Sequence, residues 1–272
     1  MGQDLTARPR AVFLSSGGLL GDAVLRRLLQ SGQFEITGVV RSRRVMVRGA
    51  GFLRGAAAYF ARCGIMYTVY IWTITTFAEF VGLFTGTGSI TRRAKRHGIP
   101  VLHAQDVNGP QGEKFIEDCR ADLLVSAHFD QKLDPPLCDR AERAAVNIHP
   151  SLLPDGRGLE PVLYTMSRGG SDFGVTVHRI ATDIDTGAIL ATTKVVVDRK
   201  DSVLCVMRRL AERGADLLTA CADQATDPGT GSPQTSYGTY HSWPTGRDVG
   251  QLYRAGRHLM KPQDIALFCR DT

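Results

Sequence analysis

Ala11-Val12-Phe13-Leu14-Ser15-Ser16-Gly17-Gly18-Leu19-Leu20-Gly21 is the stretch that decides the fold. Four consecutive apolar residues, closed by serine and glycine, have the length and punctuation of a buried strand. The glycines allow a tight turn, after which Val24, Leu25, Leu28 and Leu29 share one helical face while Arg26, Arg27 and Gln30 lie off it. Phe34 to Val40 supplies the next strand. The expectation is an α/β fold with a Rossmann-like, mostly parallel sheet and helices on both faces. The dinucleotide fingerprint is incomplete, with Ser16 in place of its first glycine and Arg41 rather than an acid ending the second strand. Arg41 with Arg43 would suit a 2′-phosphate, so an NADP oxidoreductase is a rival reading.

Further along, Ser89 can cap a basic helix that ends at Gly98, and a short strand is expected over Ile99 to Leu102. Gln111 to Cys119 reads as a helix and Leu123 to Ala127 as a core strand. Strands are expected from Ala144 to His149, Gly174 to Arg179 and Ile189 to Val197, with a helix at Val162 to Ser167. Asp201 or Ser202 caps a helix that carries Val203, Val206, Met207, Leu210, Leu217, Leu218 and Cys221 on one face. Ala225 to Tyr237, rich in Gly, Thr, Ser and Pro, reads as a linker, and a last helix is expected from Asp248 to Leu259.

Between about residues 45 and 88 lies the least ordinary segment, an aromatic-rich insertion. Gly64 to Phe84 has the length of a membrane span. Glu79 within it would cost roughly 2.5–3.5 kcal/mol at mid-bilayer if priced like Asp. The strands on either side must also join one sheet, which a single crossing forbids. The expected form is therefore a helical insertion, or a helix pair broken near Gly64, that packs on the sheet or on a second subunit as a homodimer. Membrane association is the disfavoured alternative.

The 272 residues, 43% hydrophobic and 22% charged, describe a globular protein with a sizeable core. The net charge of +6 is an arginine surplus, with clusters at Arg41, Arg43, Arg44 and Arg48 and at Arg92, Arg93, Lys95 and Arg96. Such clusters suit an anion but are more often solvated faces. The six cysteines, Cys269 among them, form no Cys-x-x-Cys pair and no metal-ligand rhythm with histidine, so free thiols, no metal and a cytoplasmic setting are expected. Met1-Gly2 with Thr6 fits a minimal myristoylation pattern that often matches by chance.

The chemistry is concentrated in Val146-Asn147-Ile148-His149-Pro150-Ser151-Leu152-Leu153-Pro154 and in Asp183-Ile184-Asp185-Thr186-Gly187. Residues i and i+2 of a strand point to one side, so Asn147 and His149 can look into one cleft. Gly187 lets the chain turn sharply after Asp185. An amide, an imidazole and a carboxylate are what acyl transfer to an amine requires: donors for the oxyanion, and a group that tunes the imidazole and relays a proton. His178, on the strand before Asp185, reads as a packed strand histidine.

At these residues the chain resembles the formyltetrahydrofolate-dependent formyltransferase family, which includes methionyl-tRNA, glycinamide ribonucleotide and sugar-amine formyltransferases. The Asn-x-His pair followed by Ser-Leu-Leu-Pro, and the later Asp-x-Gly turn, carry the resemblance, here Asn147, His149, Ser151 to Pro154, and Asp185 with Gly187. It implies transfer of a formyl group from 10-formyltetrahydrofolate to a primary amine of a small acceptor, with Asn147, His149 and Asp185 catalytic and Asp185 holding His149 protonated. By position it puts Phe129, Gln131, Leu133, Ser151, Leu152, Leu153 and Asp183 around the folate cleft, with Arg157 and Glu160 toward the acceptor. Residues 1–224 would be the catalytic domain and 225–272 a linker and short extension. That tail is too short for the β-rich domain of methionyl-tRNA formyltransferases, which disfavours a nucleic-acid acceptor. Formyltetrahydrofolate hydrolysis is a further rival.

Overall fold

A computed structural model describes residues 8–43, 52–85 and 88–268. The Met1-Gly2-Thr6 pattern, Arg44, Arg48 and Cys269 lie outside the described residues. The chain runs β1 (Arg10–Ser15), α1 (Gly18–Ser31), β2 (Glu35–Ser42), α2 (Phe52–Trp72), a π turn (Thr73–Phe77), α3 (Ala78–Thr85), α4 (Ile90–Arg96) and β3 (Val101–Ala104). It continues through α5 (Pro110–Asp118), β4 (Leu123–Ala127), α6 (Pro135–Cys138), β5 (Ala144–His149), β6 (Arg157–Gly158), α7 (Pro161–Ser167), β7 (Gly174–Arg179) and β8 (Ile189–Lys194). It closes with α8 (Val203–Ala220), α9 (Ala222–Thr226), β9 (Tyr240–His241), α10 (Gly246–Arg254) and a 3-10 turn (Pro262–Phe268).

Seven strands form one sheet in the order β3-β2-β1-β4-β5-β7-β8, parallel as far as β5 and antiparallel beyond it. The expected α/β class and mostly parallel sheet are what the structure shows. The pleat sorts β1 between two cores, as a buried strand should. Ala11 and Phe13 face Leu25, Leu28, Val146, Val177 and Leu210 on one side. Val12 and Leu14 face Val40, Ile116, Leu124 and Leu137 on the other. Arg26 of α1 reaches Glu212 of α8 at 2.9 Å, joining the two main helices of the first face.

The insertion is the expected helix pair, broken at Gly64, whose φ of 79° and ψ of 168° no helix tolerates. Tyr67, Tyr70, Ile74 and Ala78 bury one face. Phe60, Ile65, Met66, Val69, Trp72, Phe80 and Phe84 leave the opposite face exposed. The threonine hydroxyls that break the apolar run donate within the helix itself, Thr68 to the Gly64 carbonyl at 2.9 Å and Thr75 to that of Ile71 at 2.6 Å. Among the described residues, no helix is long and apolar enough to cross a membrane.

Glu79 points inward from α3. It accepts the Ser89 hydroxyl at 2.6 Å and the Gly18 N–H at 3.3 Å, with Arg41 Nε at 3.6 Å. A helix N-terminus is a natural anion site, and here the chain fills that of α1 with its own carboxylate. A Cβ on Gly18 would stand 2.1 Å from the Ile74 carbonyl, so the turn is closed by backbone as well. The donor that would meet a dinucleotide pyrophosphate is thus taken from within the chain, which speaks against the NADP reading.

Several boundaries differ from expectation. The third strand forms at 101–104 rather than 99–102, because pairing with Val39 to Ser42 selects the register. The strand expected to Val197 stops at Lys194, where pairing with Gly174 ends. Ser202, not Asp201, caps α8, accepting the Cys205 N–H at 3.0 Å. The last helix starts two residues before Asp248, because Thr245 and Asp248 build a capping box, and it ends at Arg254. The segment read as linker begins inside α9, and Ser232 bridges to Ile189.

Candidate active site

Strand β5 presents Asn147 and His149 on the same side, and the antiparallel register places His178 of β7 directly opposite Asn147. Asp185 follows in a turn at φ 56°, a left-handed conformation that costs an aspartate about 1–2 kcal/mol. Gln234 holds this turn by donating to the carbonyls of Asp185 (2.9 Å) and Gly187 (2.8 Å). A Cβ on Gly187 would lie 1.9 Å from the Arg179 carbonyl, which explains the glycine.

One carboxylate gathers these side chains. Asp185 Oδ2 lies 3.5 Å from His149 Nδ1, and Oδ1 lies 3.5 Å from His178 Nε2 and 3.4 Å from Asn147 Nδ2. Asp185 Oδ2 also accepts the Gly158 N–H at 2.8 Å. Asn147 Nδ2 contacts His178 Nε2 at 3.2 Å, and His178 Nδ1 contacts the Arg179 carbonyl at 2.7 Å. That carbonyl accepts only an N–H, so Nδ1 carries a proton, while Nε2 lies between the Asn147 amide and the Asp185 carboxylate. His178 is therefore part of the constellation rather than a packed strand histidine. The antiparallel pairing with the Asn-x-His strand was the signal for it.

Burial raises the Asp185 carboxyl, but His149, the two contacts with His178 and the Gly158 N–H overcome it and hold it well below the usual carboxylate range. Burial is also the largest influence on His149 and pushes its pKa down, helped by His178, against the opposing pull of Asp185 and the Gly156 carbonyl. Asp185 thus offsets part of the loss rather than keeping His149 charged, a correction to the sequence expectation. His149 Nε2 lies 2.8 Å from the Gly156 carbonyl, so it carries a proton and donates it there. Both expected oxyanion donors, the Asn147 amide and His149 Nε2, have partners inside the protein.

The four residues open onto a cavity of about 920 Å³, large for a small-molecule site. Phe129, Gln131, Leu133, Asp183 and Glu160 of the expected set line it. Gln131 spends its polar atoms on scaffold, accepting Val107 N–H at 2.9 Å and donating to Ser42 Oγ at 2.8 Å and the Ala104 carbonyl at 3.1 Å. It pins the 128–133 loop to β2 and β3.

Ser151, Leu152 and Leu153 do not line the cavity. Ser151 Oγ donates to the Asp155 carbonyl at 2.8 Å, Leu152 packs on Gly174, and the Leu153 N–H goes to Thr176 Oγ1 at 3.1 Å. They shape the turn behind the site. Arg157 also lies off the cavity, with its guanidinium 5.4 Å from the Tyr237 ring centre. At the mouth, Arg41, Arg43 and Lys132 supply positive charge. Arg93 of the second basic cluster is instead spent on the buried Asp22 carboxylate, at 2.6 Å, and Arg92 on the Gly82 carbonyl, at 2.8 Å.

Residues 89–221 match the formyl transferase family model. That stretch, a little under half of the chain, carries the family's pattern. The chain shares its fold with a sugar N-formyltransferase from Shewanella sp FDAARGOS_354, at 19% identity and TM-score 0.55 over 92% of this chain and 89% of that one. Glycinamide ribonucleotide transformylase 1 from Symbiobacterium toebii matches at 20% identity and TM-score 0.56 over 82% and 92%. A sugar 3N-formyl transferase crystallised in the presence of dTDP and 5-N-formyl-THF matches at 15% identity and TM-score 0.54 over 87% and 70%. At these identities the likeness speaks for the fold alone.

Proposed function

We propose that this formyltransferase moves a formyl group from 10-formyltetrahydrofolate to a primary amine of a small-molecule acceptor, such as an amino sugar or the amine of a specialised metabolite. The observation that carries the reading is the convergence of Asn147, His149, His178 and Asp185 on one wall of a single cavity. The donor's pterin and benzoyl rings fit the apolar wall at Phe129 and Leu133, and Arg43 and Lys132 suit the carboxylates of its glutamate tail. The formyltetrahydrofolate present with the sugar 3N-formyl transferase of the same fold agrees with that donor.

In this mechanism the formyl oxygen takes His149 Nε2–H from the Gly156 carbonyl and one N–H of Asn147 from the Asp185 carboxylate. Those two donors stabilise the oxyanion, the type of interaction that supplies much of acyl-transfer catalysis. Asp185 stabilises His149 at the moment it is charged, and Gly158 keeps the carboxylate aimed.

The test is incubation with 10-formyltetrahydrofolate and a panel of amines, following folate absorbance and product mass. Amine-dependent release of tetrahydrofolate with a formamide product is expected. Release at the same rate without any amine would favour the hydrolase reading instead.

A further inference from the structure

Glu160 sits at φ 54°, in left-handed backbone just before Pro161 opens α7. A non-glycine residue held in that region is a signal to ask what its side chain does. The carboxyl lines the cavity, and its Oε2 is shielded from solvent with no hydrogen-bond partner. Among the described residues it makes no ion pair with Lys, Arg or His. The buried Tyr67 hydroxyl lies next to the carboxyl and, against the rise that burial causes, holds its pKa down. The fields of Asp130 and Glu160 both reach the Tyr59 hydroxyl, and that of Glu160 reaches Tyr70. Trp243 stands edge-on to Tyr59 at 5.0 Å between ring centres.

A half-buried carboxyl that has no cation beside it, only the Tyr67 hydroxyl, and that shares its cavity wall with aromatic rings is an environment that favours an organic cation, through its charge and through the ring faces. It is unsuited to a phosphate. The other natural anion seat nearby, the α1 N-terminus, is occupied by Glu79. The catalytic strap is continuous with this pocket, because Gly156 and Gly158, bonded to His149 and Asp185, lie only four and two residues before Glu160.

We infer that Glu160, with Tyr59 from the insertion and Trp243, forms the acceptor subsite and receives the substrate as a primary alkylammonium that bears no phosphate. The inference rests on the formyl-transfer reading only for the chemistry that follows binding. In that chemistry, one ammonium proton passes to the Glu160 carboxylate, and the freed lone pair forms the new N–C bond at the formyl carbon. The bond from that carbon to folate nitrogen then breaks. A second amine proton goes to the folate nitrogen by way of His149, the third stays on the formamide, and Glu160 returns its proton to solvent. Burial raises the Glu160 carboxyl above its ordinary range, partly opposed by Tyr67, which suits a temporary proton acceptor.

The test is direct binding, read by tryptophan fluorescence and calorimetry, of butylammonium and butyltrimethylammonium against butyl phosphate. The wild-type enzyme should bind both cations in preference to the phosphate. Glu160→Gln should weaken them on the order of tenfold or more while leaving binding of the folate donor unchanged. In turnover, the same variant should raise KM for a cationic amine and lower kcat, with partial recovery in Glu160→Asp. Equal or tighter binding of butyl phosphate to the wild type, or cation affinity unchanged in Glu160→Gln, would overturn the subsite. Should Glu160→Gln fail to fold, the wild-type comparison alone still decides. Failure of the subsite would leave amine-dependent formyl transfer intact, whereas failure of the transfer reading would abolish turnover without touching cation binding.

Discussion

Asp185 Oδ2 stands 3.5 Å from Nδ1 of His149, across a gap closed on its other side by the Gly158 N–H at 2.8 Å. In the proposed reaction the carboxylate has two duties: it supports the charge that His149 acquires, and it fixes the strap that carries His149's other partner, Gly156. Asp185→Asn and His149→Ala should each lose roughly 10²–10⁴ in kcat, the usual span for groups that move or stabilise a proton. Steady-state kinetics at saturating donor reads this, and near-normal turnover in both would remove the assignment.

His178→Gln should be intermediate. The side-chain amide can still bond Asn147 but cannot reproduce the imidazole's contact with Asp185, which stands at 3.5 Å. A loss of about tenfold in kcat with folate affinity unchanged is expected, below the general acid–base span. A variant indistinguishable from wild type would return His178 to a packing role.

Acid should destabilise the protein ahead of ordinary carboxylate titration. Burial pushes His128 down to about 4, and burial also lowers His149, so the unfolded chain binds these protons first. A depressed folded-state pKa contributes stability above the unfolded value, about 6.5 for histidine, and loses it as pH falls through the folded value. Asp185, held low by His149 and His178, has the same sign and acts from about pH 4 downward. Thermal melting between pH 7 and pH 4 should show Tm falling from near 6.5, with the slope reduced in His128→Asn. A flat Tm across that range would contradict the sign.

Glu79→Ala removes the carboxylate that satisfies Gly18 N–H and Ser89 and leaves Arg41 without its partner. A cost of about 2–4 kcal/mol is expected from a buried, charge-assisted network broken on one side. Inorganic phosphate should raise the Tm of this variant more than that of the wild type, because it can replace the lost anion. Equal shifts in both proteins would mean that the α1 N-terminus stays closed.

Ser202→Ala tests an end of the fold remote from the cavity. The hydroxyl caps α8 by accepting the Cys205 N–H at 3.0 Å and donates to Asp264 Oδ2 at 2.6 Å, the second bond fully buried. A loss of about 1–2 kcal/mol with kcat unchanged is expected, checked by denaturant melts beside the amine assay.

The sheet was legible because each of its strands carries the pattern its place demands. Val12 and Leu14 go to one core and Ala11 and Phe13 to the other, so the run at β1 is continuously apolar. Gly64 announced the break in the insertion, since only a glycine sits easily at φ 79°. Asn147, His149 and Asp185 were legible by spacing and by their neighbours. His178 was not, because its role depends on the antiparallel register that brings it opposite Asn147. The plug formed by Glu79 was equally hidden, since nothing local links it to Gly18, 61 residues away. Ser151 to Leu153 carried the resemblance, yet in the structure they buttress the turn and do not line the cavity.

The two-stranded pairing of β6 with β9 has a consequence for anyone altering the far end of the chain. Arg157 and Leu159 donate to the carbonyls of Thr239 and His241, at 2.9 and 2.8 Å, so the strap between His149 and Glu160 is clamped from outside by the tail. Trimming, tagging or grafting there would be felt first as a slack reaction centre, while the seven-stranded scaffold beneath stayed in place.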